Sequence, residues 1–290
     1  MDYENRILIL LKFLGFRELI RVSAAYPSLI ERIELAIDRI KELGNGIEFH
    51  ESMRVSQVAD SVLVSFVVTE RSGVRWLMDG IGFCVMDLVE QGYLVRGGIT
   101  EGKLMHTEQR LYGPALVRAY ELESAIARYP RVIIESAVPD AANENPEIQR
   151  IDPEQRGYAE SFLTIDEDGW QYIDYISWDA VVNTIGGDES VYPGYLRGLS
   201  QLVYKLLVNP DVRIKEKGIW LHTRYLRAIE LIGQLPDEDE WRSQNPETYG
   251  ALISLPQFEE ELFEAKMDIA KSTGISLATP ASGDMDVFEL

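Results

Sequence analysis

The sequence predicts an α+β protein: a ferredoxin-like βαββαβ core followed by a mostly helical C-terminal extension. Three observations carry this. The run ILILLKFLGF at residues 7–16 is almost wholly apolar and reads as a central strand ending in a Gly-aromatic pair. Strand-type and helix-type patterns then alternate to about residue 136 in the order β-α-β-β-α-β, with one added helix. Finally, residues 94–124, LVRGGITEGKLMHTEQRLYGPALVRAYELES, pass from a β-type start through three glycines into a helix. The expected division is a first domain over 1–140, a linker over 141–160 and the extension over 161–290.

Residues 7–14 read as a central strand, apolar almost throughout. From Arg17 to about Leu43, Leu19, Ile20, Leu29, Ile30, Ile33, Ala36, Ile37 and Ile40 keep helical spacing. Pro27 interrupts this helix or starts a second, with Ser23 a candidate cap, and Gly44-Asn45-Gly46 ends it. Residues 47–56 and 58–69 form an expected hairpin whose turn position is left open. A helix rich in Leu, Met and Val follows from Arg71 to about Gly92. Strand 93–99 is expected to enter an Arg-Gly-Gly turn. Gly97, Gly98 and Gly102 suit either tight turns or backbone pressed against a neighbour. Pro114 fits the first turn of a helix over 114–128, and strand 131–135 closes the core. Residues 137–160 are dominated by Pro, Asn and acid and read as a loop. Residues 163–178 carry an acidic turn at Asp166-Glu167-Asp168-Gly169. Helices are expected over 195–207, 212–235 and 258–271, before a mobile Ser/Gly/Pro tail.

At 290 residues, 46% hydrophobic and 26% charged, the composition is that of a globular protein. No apolar run approaches the roughly 20 residues that span a bilayer. The start MDYENR has the pattern of neither a signal nor a transit peptide. The single cysteine, Cys84, excludes an intrachain disulfide, fits a reducing cytoplasm and reads as a core thiol. Three scattered histidines and one cysteine compose no zinc motif. The formal net charge of −20 repels nucleic acid and anionic lipid at long range, so neither is an expected partner. An anionic ligand would need local cations or exposed backbone N–H groups.

Four motifs carry a resemblance. They are Lys12-Phe13-Leu14-Gly15-Phe16, Ala59-Asp60-Ser61, Arg96 to Gly102 (RGGITEG) and Gly113 to Glu123 (GPALVRAYELE). With Tyr129-Pro130-Arg131-Val132 after them, they resemble in order the class III nucleotide cyclases, and specifically the bacterial pyrimidine cyclases of the Pycsar anti-phage systems. The resemblance covers roughly residues 5–136. Lys215-Glu216-Lys217 with Trp220 and Tyr225 resembles the same family's C-terminal helix. Gly186-Gly187-Asp188-Glu189 is similar to a diguanylate cyclase signature, but it follows the linker and reads as a polar turn.

The resemblance implies a cytoplasmic homodimer that converts UTP to 3′,5′-cyclic UMP and pyrophosphate. The product would signal to a separate effector, and CTP is the nearest alternative substrate. It also implies two Mn2+ or Mg2+ ions held by two carboxylates. Asp60 is the hairpin carboxylate; its bland reading is a solvent-facing strand end. The other should fall three residues before Gly15, where the chain has Lys12. Like unit charges about 5 Å apart repel by about 3 kcal/mol at an effective dielectric of about 20, and a divalent ion doubles that. Three accounts are open. Lys12 pairs with Asp60 and impairs turnover, or it contacts the triphosphate beside a single ion, or the chain is an altered form of an active parent. A non-catalytic nucleotide-binding or dimerisation module is the reading from another class. Gly15, Phe16 and Arg17 stand at a strand-to-helix junction suited to phosphate, or are simply a helix start. By position, Ser56 and Arg110, with Arg54 as a substitute, are the base-reading candidates. Arginine only donates hydrogen bonds, which favours a pyrimidine carbonyl over the adenine amino group. Val117 and Glu121 occupy the purine-cyclase transition-state positions, so Arg118, one turn away, is the catalytic candidate. Arg96 reads as structural or as a dimer contact.

Overall fold

A computed structural model describes residues 2–43, 52–68, 73–138 and 162–274. The core opens with β1 (Glu4–Phe13), α1 (Phe16–Ser23) and α2 (Ser28–Lys41). It continues with β2 (Arg54–Val58), β3 (Ser61–Val67), α3 (Gly73–Glu90) and the long β4 (Val95–His106). A short β5 (Leu111–Tyr112), α4 (Pro114–Glu121) and β6 (Val132–Ile134) complete it. The sheet order is β2-β3-β1-β4-β6, then the hairpin strands β8 (Gln171–Ile173) and β7 (Leu163–Ile165). Within it, β4-β1-β3-β2 is the ferredoxin-like arrangement with antiparallel neighbours. The fold is therefore α+β, as the residue pattern predicts.

β1 is apolar on both faces because both are covered. Ile7, Ile9, Leu11 and Phe13 join the main core with residues of α2 and α3. Leu8 and Leu10 meet Leu63, Leu104 and the α4 residues Ala115 and Ala119 in a smaller second core. The even-numbered face of β1 also carries Arg6 and Lys12, and that face is where the polar groups gather.

Several expectations are corrected. Arg96-Gly97-Gly98 is not a turn; it lies inside β4, and its glycines serve close packing. A Cβ on Gly97 would stand 2.2 Å from the Leu10 carbonyl oxygen, and one on Gly98 2.5 Å from Leu122 Cβ. The chain's own backbone and helix are the neighbours that demand glycine. The hairpin turn is Ala59-Asp60, with Val58 closing β2, so Asp60 is a turn residue rather than a strand residue. Ser23 does not cap α2; its hydroxyl donates to the Ile20 carbonyl, and Pro27 precedes α2 without a side-chain cap. The helix expected over 114–128 is α-helical only to Glu121 and continues as a π turn, Leu122–Ile126. Gly44-Asn45-Gly46, the first part of the hairpin, Arg71, most of the acidic loop and the tail lie outside the described residues.

The extension begins as sheet, because the β7–β8 hairpin pairs antiparallel with β6. Helices follow: α5 (Trp178–Thr184), α6 (Tyr192–Leu207), α7 (Val212–Gly233), α8 (Glu240–Gln244), α9 (Pro246–Ile253) and α10 (Glu259–Thr273). Gly186 and Gly187, both at positive φ, form the polar turn between α5 and α6. Cys84 is buried on α3, and burial pushes its thiol up to about 12. No helix of the described residues is long and apolar enough to cross a membrane.

Candidate functional site

One corner of the sheet gathers the first group of expected site residues. Lys12 stands opposite Ser61 of β3 and Arg96 of β4. The hairpin turn folds over it, with the Phe13 N–H donating to the Asp60 carbonyl oxygen at 3.3 Å. Lys12 Nζ pairs with Asp60 Oδ2 at 3.3 Å, each side chain a little over a quarter exposed. Next to it, Arg96 pairs with the buried Glu123 at 2.5 Å. Lys12 and Arg96 are thus each matched by one carboxylate.

This donor set does not fit a two-ion centre. One carboxylate, Asp60, faces an ammonium where a second acidic ligand would have to be. Among the described residues no three acidic, histidine or cysteine side chains converge as a metal site. A partly exposed ion pair contributes about 0–1 kcal/mol. The obstacle is therefore the chemistry of Lys12 rather than the strength of its pair.

Past Lys12 the chain leaves the sheet. Gly15 adopts φ +73° and precedes α1, whose first turn has no side-chain cap. Uncapped N–H groups at a helix start favour an anion. Glu18 in that turn is engaged by Arg21 at 2.6 and 2.9 Å. Phe16 stacks on Phe13 with ring centroids 5.8 Å apart, and Arg17 is exposed.

The second group lies along β2 and the far end of β4. Arg54 and Ser56 share the even face, opposite Ser65 and Leu63. Ser56 Oγ is 2.9 Å from His106 Nε2, and His106 Nδ1 is 2.8 Å from Ser65 Oγ. Arg6 Nε donates to the same Ser65 Oγ at 2.9 Å, and Arg6 Nη2 donates to the Ser65 carbonyl at 3.1 Å. Arg6 is held further by Glu4 at 2.6 Å and by the Ser52 carbonyl. Burial, then the charges of Arg6 and Arg54, push the His106 imidazole down to about 4. His106 ends β4 and abuts the 107–110 turn that carries Arg110. It therefore links Ser56 to the Arg110 hairpin. His106 escaped the sequence reading because it belongs to no motif, and its partners are 41 and 50 residues away.

Arg118 is elsewhere. Its Nε donates to Glu135 Oε1 at 2.7 Å and its Nη1 to Glu121 Oε2 at 3.2 Å. The hydrogen bond to Glu135 raises its already high pKa. Thr100 donates to the other Glu135 oxygen, and the guanidinium lies 5.8 Å from the Trp170 ring centroid. Thr100 faces Leu8 on β1, whereas Arg96 faces Lys12. Four strand residues, about 13 Å, separate the two positions. Within one chain, Arg118 and the Lys12–Asp60 pair are distinct sites.

No protein-family model and no curated protein matches the chain. Solved structures similar to it include a bacterial light-regulated adenylyl cyclase, at 11% identity and TM-score 0.40, covering 64% of this chain and 97% of that one. Another is the adenylyl cyclase CyaB of P. aeruginosa, at 14% identity and TM-score 0.37, covering 60% and 95%. A third is an adenylate/guanylate cyclase/hydrolase from Silicibacter pomeroyi, at 15% identity and TM-score 0.37, covering 60% and 99%. Likeness at this level carries no inference about chemistry.

Proposed function

We propose that this chain is a pyrimidine nucleotide cyclase of class III design whose turnover is held down by Lys12. Its substrate is UTP, with CTP the nearest variant, and its products are 3′,5′-cyclic UMP and pyrophosphate. The observation that carries the reading is the corner itself. The ferredoxin-like sheet order brings position 12, the Asp60 turn and the uncapped start of α1 together. Those are the places where the motif resemblance expects metal and phosphate. Backbone N–H groups at α1 would bind phosphate oxygens, and Arg54, Ser56 and Arg110 would meet the base. The active unit is a homodimer with each pocket between two copies, and the product signals to a separate effector during phage infection.

The Lys12–Asp60 pair favours a second reading, a nucleotide-binding module of the same fold with no turnover. One experiment separates them. The protein and its Lys12→Asp variant are incubated with each of the four nucleoside triphosphates and manganese, and cyclic product and pyrophosphate are quantified. The expected result is little or no product from the native chain and at least about 100-fold more from the variant, with a pyrimidine substrate. Two apposed carboxylates should also make the variant's melting temperature rise on adding manganese, while the native chain stays unchanged. Nucleotide binding without product from either protein selects the module. Absence of nucleotide binding by both overturns the proposal.

A further inference from the structure

The polar chain on the even face has a direction. Arg6 Nε is a donor only and donates a hydrogen bond to Ser65 Oγ. Ser65 is fully buried, and among the described residues its hydroxyl oxygen has two partners, Arg6 and His106. A buried hydroxyl proton needs an acceptor, and His106 Nδ1 is the one present. The proton of the neutral imidazole must then sit on Nε2, which donates to Ser56 Oγ. Ser56 has no other side-chain partner among the described residues and is half-exposed on its strand. Its own O–H proton is then available to a ligand. A hydroxyl already accepting one bond is a stronger donor for the next.

We infer that His106 is a positioning residue: the relay Arg6–Ser65–His106 fixes the Ser56 hydroxyl as a donor and so selects a ligand edge that accepts a hydrogen bond there. This rests on the nucleotide reading above and deepens it. Uracil and cytosine differ at ring position 4, a carbonyl acceptor in one and an amino donor in the other. In this proposal Ser56 is set against ring position 4, where a hydroxyl biased toward donating favours UTP. The bond from Nε2 occupies one of the two hydroxyl lone pairs and biases Ser56 toward donating; without the relay both lone pairs are free to accept from an amino group.

Two measurements test this on the full-length protein. The first is nitrogen NMR of the histidine rings near neutral pH, with His106 assigned by loss of its signal in His106→Gln. The expected state is neutral, with the proton on Nε2; a proton on Nδ1, or on both nitrogens, overturns the relay. The second compares UTP and CTP binding by calorimetry in the native chain and three variants. The native chain should prefer UTP by about tenfold, the cost of one mismatched hydrogen bond. His106→Leu and Ser56→Ala should reduce that ratio to about twofold, and His106→Gln, which keeps a donor toward Ser56, should retain most of it. Ser56 is on an edge strand and half-exposed, so Ser56→Ala is expected to fold even if His106→Leu does not. An unchanged ratio in Ser56→Ala, or a native preference for CTP, overturns the specificity claim. If no nucleotide binds the native chain, the nucleotide reading fails and takes the base preference with it, while the NMR result decides the proton's direction independently.

Discussion

At the residue scale, the lysine and the histidine of the even face differ in how far the sequence exposes them. Lys12 is conspicuous because a cation interrupts an apolar strand, and its nearest acid on the hairpin is Asp60. Their pairing, one of the three accounts the sequence leaves open, is found at 3.3 Å. His106 is invisible in the same sense that Lys12 is visible: its environment is assembled by strand register, from β1, β2 and β3. That environment has a consequence for stability. The unfolded chain protonates His106 near 6.5, whereas the folded chain resists protonation until about pH 4. The unfolded state binds more protons between those values, so stability falls as pH drops through the window and is fully present above it. His106 should contribute about 1–3 kcal/mol of loss between neutral pH and pH 4.5. Urea unfolding of the native chain and His106→Gln at both pH values checks this. The variant should lose less on acidification, and parallel losses would show that His106 does not titrate in this range.

At the element scale, strands and helices with strong periodicity were legible, and the glycine run was not. Glycine in a single sequence signals a turn or a close contact, and nothing local distinguishes them. The deciding partners, Leu10 on β1 and Leu122 in the π turn, are brought in by sheet pairing and by the helix crossing β4. The added residue of the π turn is closed by the Ala127 N–H bonding to the Leu122 carbonyl at 2.7 Å. That turn lays Leu122 directly over Gly98. Substitution should therefore grade with clearance. Gly98→Ala forces a Cβ to 2.5 Å from Leu122 Cβ, whereas in Gly102→Ala the nearest atom, Ala115 Cβ, is 3.4 Å away. The first should cost about 1–3 kcal/mol by overpacking, the second under about 1 kcal/mol. Thermal melts of the two variants settle it. Equal costs would mean that the π turn shifts freely and that its packing on β4 is not tight.

At the whole-molecule scale, the acidic turn at 166–169 was legible as a turn, but its role was not, because its partners lie 35 residues before it and 54 and 58 residues after it. Asp166 is buried between Arg131, which precedes β6, and Arg224 of α7, and it also accepts from Trp220 Nε1 at 2.9 Å. Arg131 makes a second, two-pronged contact to Asp168 at 2.5 and 3.0 Å. The hydrogen bond from Arg131 holds the Asp168 carboxyl below its usual range. The same main hydrophobic core runs from Ile7 through Tyr195 and Tyr225 to Ala265, so sheet and helices share one interior. Removing Asp166 would leave Arg131 with Asp168 as its carboxylate beside the Ile126 carbonyl, and Arg224 with Glu167 at 4.0 Å beside the Trp220 carbonyl. Buried charges that lose their partner cost about 3–5 kcal/mol, and the remaining contact to Asp168 puts Asp166→Ala near the lower end. Asp168 is 46% exposed, so water replaces much of what Asp168→Ala removes, and that variant should lose only about 1 kcal/mol. Tryptophan fluorescence and far-ultraviolet circular dichroism, followed together through urea unfolding, would check both claims. Four of the five tryptophans lie beyond residue 161, so fluorescence reports mainly on the extension. Coincident transitions are expected, because a shared core and a shared buried network leave neither half a separate interior. A fluorescence transition well below that of the sheet would instead make the helices an independently unfolding domain, and Asp166→Ala would then shift that transition alone.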